Sequence, residues 1–599
     1  MEKFQLLSKV LTYASKPDKT NTLPELLVSG SQNVLIDDRN IVRTREGYTI
    51  YGAAGSGSTP VESEYDWQTS LNTVLNLRSY DDELEVYVGT VESIVFDSWE
   101  KVADGWTAVD FSFAPWWSSL EVMDLLFFVN GADQIQEWSG GLTTYASATS
   151  NTITKQGTDT WAAKRFLTNG TTKIRIKDTG GTWREFTYTG GEATTTLTGV
   201  TPDPTGYTFA AGALVMQSVR TNDNEPADAA VNDFIWVEKN QVWIGSNTRN
   251  HIYVSKDTDF TDYSFSTPRV PGEGALLVLN NVGRGFLPLQ GRMLITGGRD
   301  DWYHTEFAQL EIGTTLTETL KVIKLETGPG MAAQSQDLIS GLLYIGFDKI
   351  LHRIIGISDN NKLETEDLSD PIKPDFDAVD FTNGHIKIHR NRTYITCPND
   401  STMFISEVRR NENGTFTRFW QPPQILPIRR FAIISDLIYG HSSGFNETYR
   451  LFNGTNDNEN PIAFNATYSY RNYGNKEALK VFDKWITEGY IRGNTKIIQQ
   501  LRYDFQGATQ TLEKEIDGSD SSILFELITG MTPLGSTPLG LLEESTQQPK
   551  FRQISDFIPQ DFFEIQVVYY SSAVDDQWWI ISQGGNIRIS PNKPTFLSK

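Results

Sequence analysis

The feature that most constrains this chain is a short strand-like segment that returns at a nearly constant interval. It reads Val242-Trp243-Ile244-Gly245, then Met293-Leu294-Ile295-Thr296-Gly297, then Leu343-Tyr344-Ile345-Gly346. Weaker copies are Thr393-Tyr394-Ile395-Thr396 and Leu437-Ile438-Tyr439-Gly440. Between the middle residues Trp243, Leu294, Tyr344, Tyr394 and Ile438 the steps are 51, 50, 50 and 44 residues. Earlier copies, Val86-Tyr87-Val88-Gly89 and Phe127-Phe128-Val129-Asn130-Gly131, place Tyr87 and Phe128 41 residues apart. A strand-rich repeat of ~40–50 residues is the mark of propeller blades. One four-stranded sheet has two apolar faces and cannot bury both alone, whereas a ring of such sheets can, and it leaves only short edges. A run of unrelated hairpins would not keep so even a step. The segments predict an all-β fold, a β-propeller of about seven blades.

The rhythm breaks between Phe128 and Trp243. Within that gap the chain turns Thr- and Gly-rich, and Thr171 to Lys177 and Trp183 to Thr189 alternate as half-buried strands do. An inserted small β domain is expected there, carrying contacts to a neighbouring subunit. After about Pro461 the period vanishes, and strand-like runs such as Ala463 to Tyr470 and Phe563 to Tyr570 predict a C-terminal β-sandwich-like domain. The repeated Thr-Pro-Leu-Gly at 532–540 marks an exposed loop, because proline cannot serve a central strand. The expected division is an N-terminal arm and connector over 1–58, propeller over 59–146, insert over 147–219, propeller again over 220–461, and the C-terminal domain over 462–599. In the arm, Leu7, Val10, Leu11 and Ala14 stand at helical spacing, and Pro17 ends that pattern.

Composition narrows function more than fold. Aromatics at 12% and 48 glycines suit strands and tight turns. A net charge of −23 argues against a nucleic-acid grip, which wants clustered Lys and Arg. It still allows an acidic channel that DNA traverses without sticking. A single cysteine, Cys397, excludes an internal disulfide framework, and its place in a strand-like run predicts a small buried side chain. No apolar run approaches a membrane helix, and Met1-Glu2-Lys3-Phe4 opens no signal peptide, so cytoplasmic synthesis is expected.

Catalytic constellations are thin. His385 and His389 sit on an alternating run, which separates them by ~13 Å on one strand face, too far for one metal. They are expected to face solvent. Asp300-Asp301-Trp302 offers an acid pair and an aromatic, yet 75 acidic residues make such pairs common by chance. Ser255-Lys256-Asp257-Thr258-Asp259 begins like a sialidase Asp-box but lacks its Gly-x-Thr-Trp. The Asp-rich turn Asn456-Asp457-Asn458-Glu459-Asn460 lacks EF-hand spacing and reads as solvated loop. The chain is therefore read as a non-enzyme without cofactor, catalytic site or metal site.

Two stretches resemble a known class. Asn33-Val34-Leu35-Ile36-Asp37 followed by Val42-Arg43-Thr44-Arg45-Glu46-Gly47-Tyr48 resembles the extended opening arm of phage virion proteins. Ile252-Tyr253-Val254-Ser255, Asp259-Phe260 and Tyr263-Ser264-Phe265 resemble a blade turn of the same proteins. The similarity is to the propeller-bearing tail nozzle or tail-tubular-protein-B group of tailed bacteriophages. That resemblance implies a virion tail protein, a hexameric ring beside portal or adaptor and tail fibre proteins, through which DNA passes without tight binding. On it, Arg43, Arg45 and Tyr48 become the candidate assembly interface, since extended-arm guanidiniums commonly bond acidic neighbours. A tail-tip protein binding a receptor or carbohydrate is the alternative reading, and a propeller glycoside hydrolase the third.

Overall fold

A computed structural model of the chain describes residues 3–4, 12–15, 26–52, 59–70, 73–117, 124–167, 173–222, 224–226, 231–257, 259–267, 269–297, 301–312, 315–326, 339–410, 414–471, 479–491, 496–505, 508–517, 550–562, 564–571 and 578–589. The Thr-Pro-Leu-Gly repeat at 532–540 lies outside them.

The recurring segments occupy equivalent places. Trp243 lies in Gln241–Gly245, Leu294 in Arg292–Thr296, Tyr344 in Leu343–Ile345, Tyr394 in Arg392–Cys397 and Ile438 in Leu437–Ser442. Each of these is the second strand of an antiparallel sheet, and in all but the last sheet the strands follow one another in order. Phe128, in Asp124–Val129, is likewise on a second strand. Tyr87 is not. It lies in Glu83–Val91, the third strand of the first sheet, and the second strand there is Val74–Tyr80. That strand carries a buried Arg78 stacked 4.2 Å from the Trp99 ring, where the other copies carry apolar residues. Aligned correctly, Leu77 to Phe128 is 51 residues, the same step as later in the chain.

Among the described residues, seven such meanders follow in sequence, their first strands being Ser63–Gln68, Ser112–Trp117, Phe234–Glu238, Gly285–Leu289, Ile339–Ser340, Ile386–His389 and Ile428–Ile434. The hairpins are tight because residues at their tips accept positive φ: Lys239-Asn240 and Ser435-Asp436 join strands through two-residue turns of that kind. First strands lie against first strands, Ser63–Gln68 beside Ser112–Trp117 and Ser112–Trp117 beside Phe234–Glu238, and Ile428–Ile434 returns to Ser63–Gln68. The chain is an all-β protein of propeller type. Between neighbouring sheets sit separate apolar cores. Trp67, Leu77 and Val86 meet Phe128 and Trp138 between the first and second, and Phe234 and Trp243 meet Phe286 and Ile295 between the third and fourth. The seventh meets the first through Ala432, Ile434, Tyr439 and Trp99. Cys397 is fully buried in the core shared by the fifth and sixth sheets.

Two further sheet systems accompany this array. Between Gln136–Trp138 and Arg220–Thr221, successive neighbours in the second sheet, the chain forms a six-stranded sheet running from Leu142–Thr149 to Leu214–Gln217. It buries its own core of Trp161, Phe166, Ile174, Phe186 and Val215. Late in the chain, Phe464–Thr467, Glu564–Ser571, Lys496–Phe505 and Ala508–Asp517 form one sheet. Lys550–Phe562, Lys480–Ile491 and Trp578–Ile589 form another. The two share Phe464, Phe482, Trp485, Leu501, Tyr569 and Trp578 in one core.

The arm enters both systems. Val34–Ile36 and Val42–Thr44 extend the late sheet beyond Trp578–Ile589, while Tyr48–Ile50 is the fourth strand of the seventh meander, paired with Thr448–Leu451. The helical expectation at its start is corrected at Ala14. Thr12–Ala14 is extended and pairs in parallel with Leu26–Val28, because Tyr13 is buried and its hydroxyl donates to Asp375 across 2.6 Å. Leu7, Val10 and Leu11 lie outside the described residues.

Candidate functional site

The arm motif explains itself residue by residue. The hairpin before it turns at Asp37, whose Oδ1 accepts the N–H groups of Arg39 and Ile41, both at 2.8 Å, while Asn40 takes positive φ. Gln421 grips Ile36 by accepting its N–H at 2.7 Å and donating to its carbonyl at 3.0 Å. Arg409 donates to the carbonyls of Ile36 and Asp37, each at 2.8 Å. The sixth meander thus holds the arm by side chains aimed at its backbone.

Of the three proposed interface residues, Arg45 is the most buried, 1% exposed. Its Nη1 donates to Asp457 Oδ1 at 2.6 Å and its Nη2 to Asp457 Oδ2, a bidentate pair. Its Nε donates to Asn33 Oδ1 at 3.2 Å. This guanidinium is committed inside its own chain, and the acidic neighbour it finds there is Asp457. The Asp-rich turn is likewise no solvated loop at that residue but the receptor for Arg45. Gly47 is required by the same contact, since a Cβ there would stand 1.7 Å from the Asn456 carbonyl oxygen. Tyr48 packs against Tyr449 with ring centroids 4.4 Å apart and planes tilted by 39°, and burial, then the nearby Asp457 carboxylate, pushes its hydroxyl pKa upward. Arg43 pairs locally with Glu46 at 2.7 Å and stays half-exposed.

A second polar centre, absent from the sequence reading, lies where the first strands converge. A cavity of about 390 Å³ is lined there by Glu64, Tyr65, Phe113, Trp236, Phe286, His385 and Lys387, among others. Lys387 Nζ stands 2.5 Å from Asp66 Oδ2 and 3.3 Å from Glu64 Oε1. Asp66 also accepts the Ile433 N–H at 3.0 Å and Asn76 Nδ2 at 2.6 Å, tying the first sheet to the seventh. Arg429 clasps Glu62 with both terminal nitrogens, one at 2.9 Å. Burial pulls the Lys387 pKa down, but the carboxylates of Asp66 and Glu64 override it and hold the ammonium above its usual range. Glu64, its side chain 1% exposed, is pushed well above the carboxylate range by burial and by Asp66.

His385 and His389 do not both face solvent as expected. His385 reaches the cavity, and its Nδ1 accepts the Phe431 N–H at 3.1 Å. Burial first, then Arg430 and Lys387, push its pKa well below the ordinary histidine value. The neutral ring therefore carries its proton on Nε2. His389 lies apart, 3.6 Å from Asp436. Asp301 is paired with Lys324 at 2.5 Å, Trp302 is buried, and Asp300 lies outside the described residues. No group of three His, Cys, Asp or Glu side chains converges as a metal site among the described residues, and no helix there is long and apolar enough to cross a membrane. The inner-strand charges could have been suspected from Ser63-Glu64-Tyr65-Asp66-Trp67, where acids alternate with aromatics, but nothing in the sequence names their partner.

No protein-family model matches the sequence, and no curated protein does. Among solved structures, Kluyveromyces lactis Hsv2 aligns with 61% of this chain and 100% of its own, at 10% identity and a TM-score of 0.24. Another structure of Kluyveromyces lactis Hsv2p gives 61% and 99%, 9% identity and 0.23. Similarity this slight carries no argument about function.

Proposed function

We propose that this chain is a non-enzymatic structural subunit of a bacteriophage tail, a nozzle or tail-tube component that assembles as a ring of six. We read its fold as a seven-bladed propeller latched by its own N-terminal strand, with an inserted six-stranded domain and a C-terminal sandwich. The observation that carries the reading is the arm: Arg45, Gly47 and Tyr48 of its Arg-x-Arg-Glu-Gly-Tyr segment lock an extended strap across two sheet systems. A strap of that kind suits a subunit that must transmit load without coming apart. The excess of 75 acidic over 52 basic residues favours a surface that DNA passes without adhering. The axial cavity, about 390 Å³ and crossed by Lys387 and Glu64, is too small for a duplex. A DNA path would therefore lie between copies. Portal or adaptor and tail fibre proteins would be the neighbours.

Two measurements test this together: native mass spectrometry of the purified chain, and electron microscopy of particles carrying a tagged copy. A sixfold ring at the tail below the capsid is the expected result. A stable monomer or trimer located at a tail tip would overturn the nozzle reading, and absence from particles would overturn the virion reading altogether.

A further inference from the structure

The geometry of the inner-strand centre points to a covalent bond that the chain makes with itself: an isopeptide bond from Lys387 Nζ to Asp66 Cγ, formed by loss of water with help from Glu64. Three side chains of the kinds this condensation needs meet there, an amine, a carboxyl to be attacked and a second carboxyl to carry protons. Lys387 Nζ lies 2.5 Å from Asp66 Oδ2 and 3.3 Å from Glu64 Oε1. With a carbon–oxygen bond of ~1.2 Å, Asp66 Cγ is then at most ~3.7 Å from the nitrogen, close to the ~3–3.5 Å of a near-attack arrangement.

The surroundings hold the reacting carboxyl still. Asp66 Oδ1 accepts Asn76 Nδ2 at 2.6 Å and the Ile433 N–H at 3.1 Å, the latter shared with Oδ2 at 3.0 Å. Both donors are fixed in advance and stand where charge gathers when Oδ1 becomes an oxyanion. Glu64 and Lys387 line the cavity together with Phe113, Trp236 and Phe286, a setting in which ions are costly to keep. Burial disfavours the Lys387 ammonium, which persists only through the carboxylates beside it. Handing its proton to Asp66 removes both charges of the pair at once.

The step balances without any co-reactant. The ammonium gives one proton to Asp66 Oδ2, leaving a neutral amine and a neutral acid. The nitrogen lone pair attacks Cγ, and the C=O pair moves onto Oδ1. As that pair returns, the bond from Cγ to Oδ2 breaks, and the departing hydroxyl takes the Glu64 proton and leaves as water. The new nitrogen cation then returns a proton to Glu64. Nothing is oxidised or reduced. Glu64 suits this shuttle because burial and Asp66 favour its protonated form, and its buried Oε2 accepts no hydrogen bond, as befits an oxygen that carries a proton. The bond would tie the first strand of the first meander to that of the sixth, across the seventh, and close the ring covalently on its inner side. The inference does not rest on the tail reading.

The test is mass spectrometry of the full chain, intact and after trypsin. The parent is expected to lack the mass of one water, and one branched peptide should join the Asp66 segment to the Lys387 segment, with no cleavage after Lys387. Asp66→Asn gives its own signature, since the same amide then forms with release of ammonia. Lys387→Arg should show the full sequence mass. In a time course of cell-free synthesis, Glu64→Gln should slow the branched peptide about a hundredfold, the low end of general acid–base assistance. The bond adds stability of its own, so melting of Glu64→Gln is compared with its parent after Lys387→Arg has been placed in both. A folded parent with the full sequence mass, cut by trypsin after Lys387, overturns the inference and leaves an ordinary ion pair. A water deficit mapped to other residues overturns it equally, and an unchanged rate in Glu64→Gln overturns the part given to Glu64.

Discussion

Substituting Gly47→Ala should unlatch the arm while leaving the rest of the protein folded. The added Cβ would lie 1.7 Å from the Asn456 oxygen, 2.3 Å from its carbonyl carbon and 2.8 Å from its nitrogen. All three are backbone atoms, so no rotamer relieves the clash, and the 453–460 turn must retreat by more than an ångström. That retreat breaks what the turn supplies: the Tyr48 N–H to Asn456 oxygen bond at 3.2 Å, the Asn458 N–H to Tyr48 oxygen bond at 2.8 Å, and the Arg45–Asp457 pair. Stranding a buried ion pair costs about 3–5 kcal/mol. Asp457 is 18% exposed and can partly rehydrate, which places this pair at the lower end. Two backbone bonds add about 1 kcal/mol each. A loss of about 4–5 kcal/mol falls on a latch held locally, so amide exchange over 44–50 and 448–451 should accelerate roughly a thousandfold, at a tenfold per ~1.4 kcal/mol. Amides in Gln241–Gly245, on the far side of the ring, should keep their protection. Exchange by mass spectrometry reads both regions in one experiment. Equal protection of 44–50 in variant and parent would refute the steric argument, and uniform loss everywhere would refute the claim that the latch opens by itself.

Glu64→Gln should stabilise the protein above neutral pH and change little near pH 4. The folded-state pKa of Glu64 is raised by burial and Asp66, so its stability contribution is present below the unfolded value of ~4.3 and is lost as pH rises through the folded value. Melting curves of both proteins across that range check it, and a variant less stable at pH 8 would contradict it. His385 and His441 are both pushed well below ordinary histidine values, first by burial, so stability should fall as pH drops below ~6.5, and a His385→Gln, His441→Gln double variant should flatten that slope. A slope equally steep in the double variant would assign the acid loss to other groups. Deleting residues 1–20 removes Tyr13 and its bond to Asp375, worth about 3 kcal/mol of burial and bonding, and should leave a folded chain that fails to join the ring proposed above. Normal incorporation of the truncated chain into particles would count against an assembly role for the arm.

The repeat was legible because one strand in most sheets carries the same mark, a large apolar or aromatic residue followed by isoleucine at Trp243, Leu294, Tyr344 and Tyr394. It misled at Tyr87, where the second strand exchanges that mark for Arg78, whose guanidinium bonds Glu85 at 2.8 Å and reaches Thr448 at 2.8 Å in the seventh sheet. A charge satisfied by a distant strand looks, in sequence, like a surface residue. The same blindness hid the site chemistry. Arg45 and Asp457 are 412 residues apart, and Lys387 and Glu64 are 323 apart. Nothing local distinguishes Asp457 from the Asn and Glu around it. The three-residue strands of the arm are too short to show a period, so the spacing of Leu7, Val10, Leu11 and Ala14 suggested a helix where Thr12–Ala14 is extended.

The arm also sets an order on how the molecule closes. Thr448–Leu451 and Trp578–Ile589 each find an arm strand among residues 34–50, hundreds of residues earlier in the chain. Pairings of such long separation bear the largest loop-closure entropy and tend to form last. Until they form, the seventh meander has three strands, and Thr448–Leu451 presents an open edge of unpaired N–H and C=O groups. Burial of Tyr48 on Tyr449, the Gly47 contact and the Arg45–Asp457 pair act on that one edge, and all three come from the same six residues. The Asn33 side chain extends the lock to the late sheets, since its Oδ1 accepts the Ile425 N–H at 2.7 Å and its Nδ2 donates to the Ala463 carbonyl at 2.7 Å. One short segment therefore both closes the sheet array and fastens it to the late sheets. The two cannot be loosened separately from the arm side.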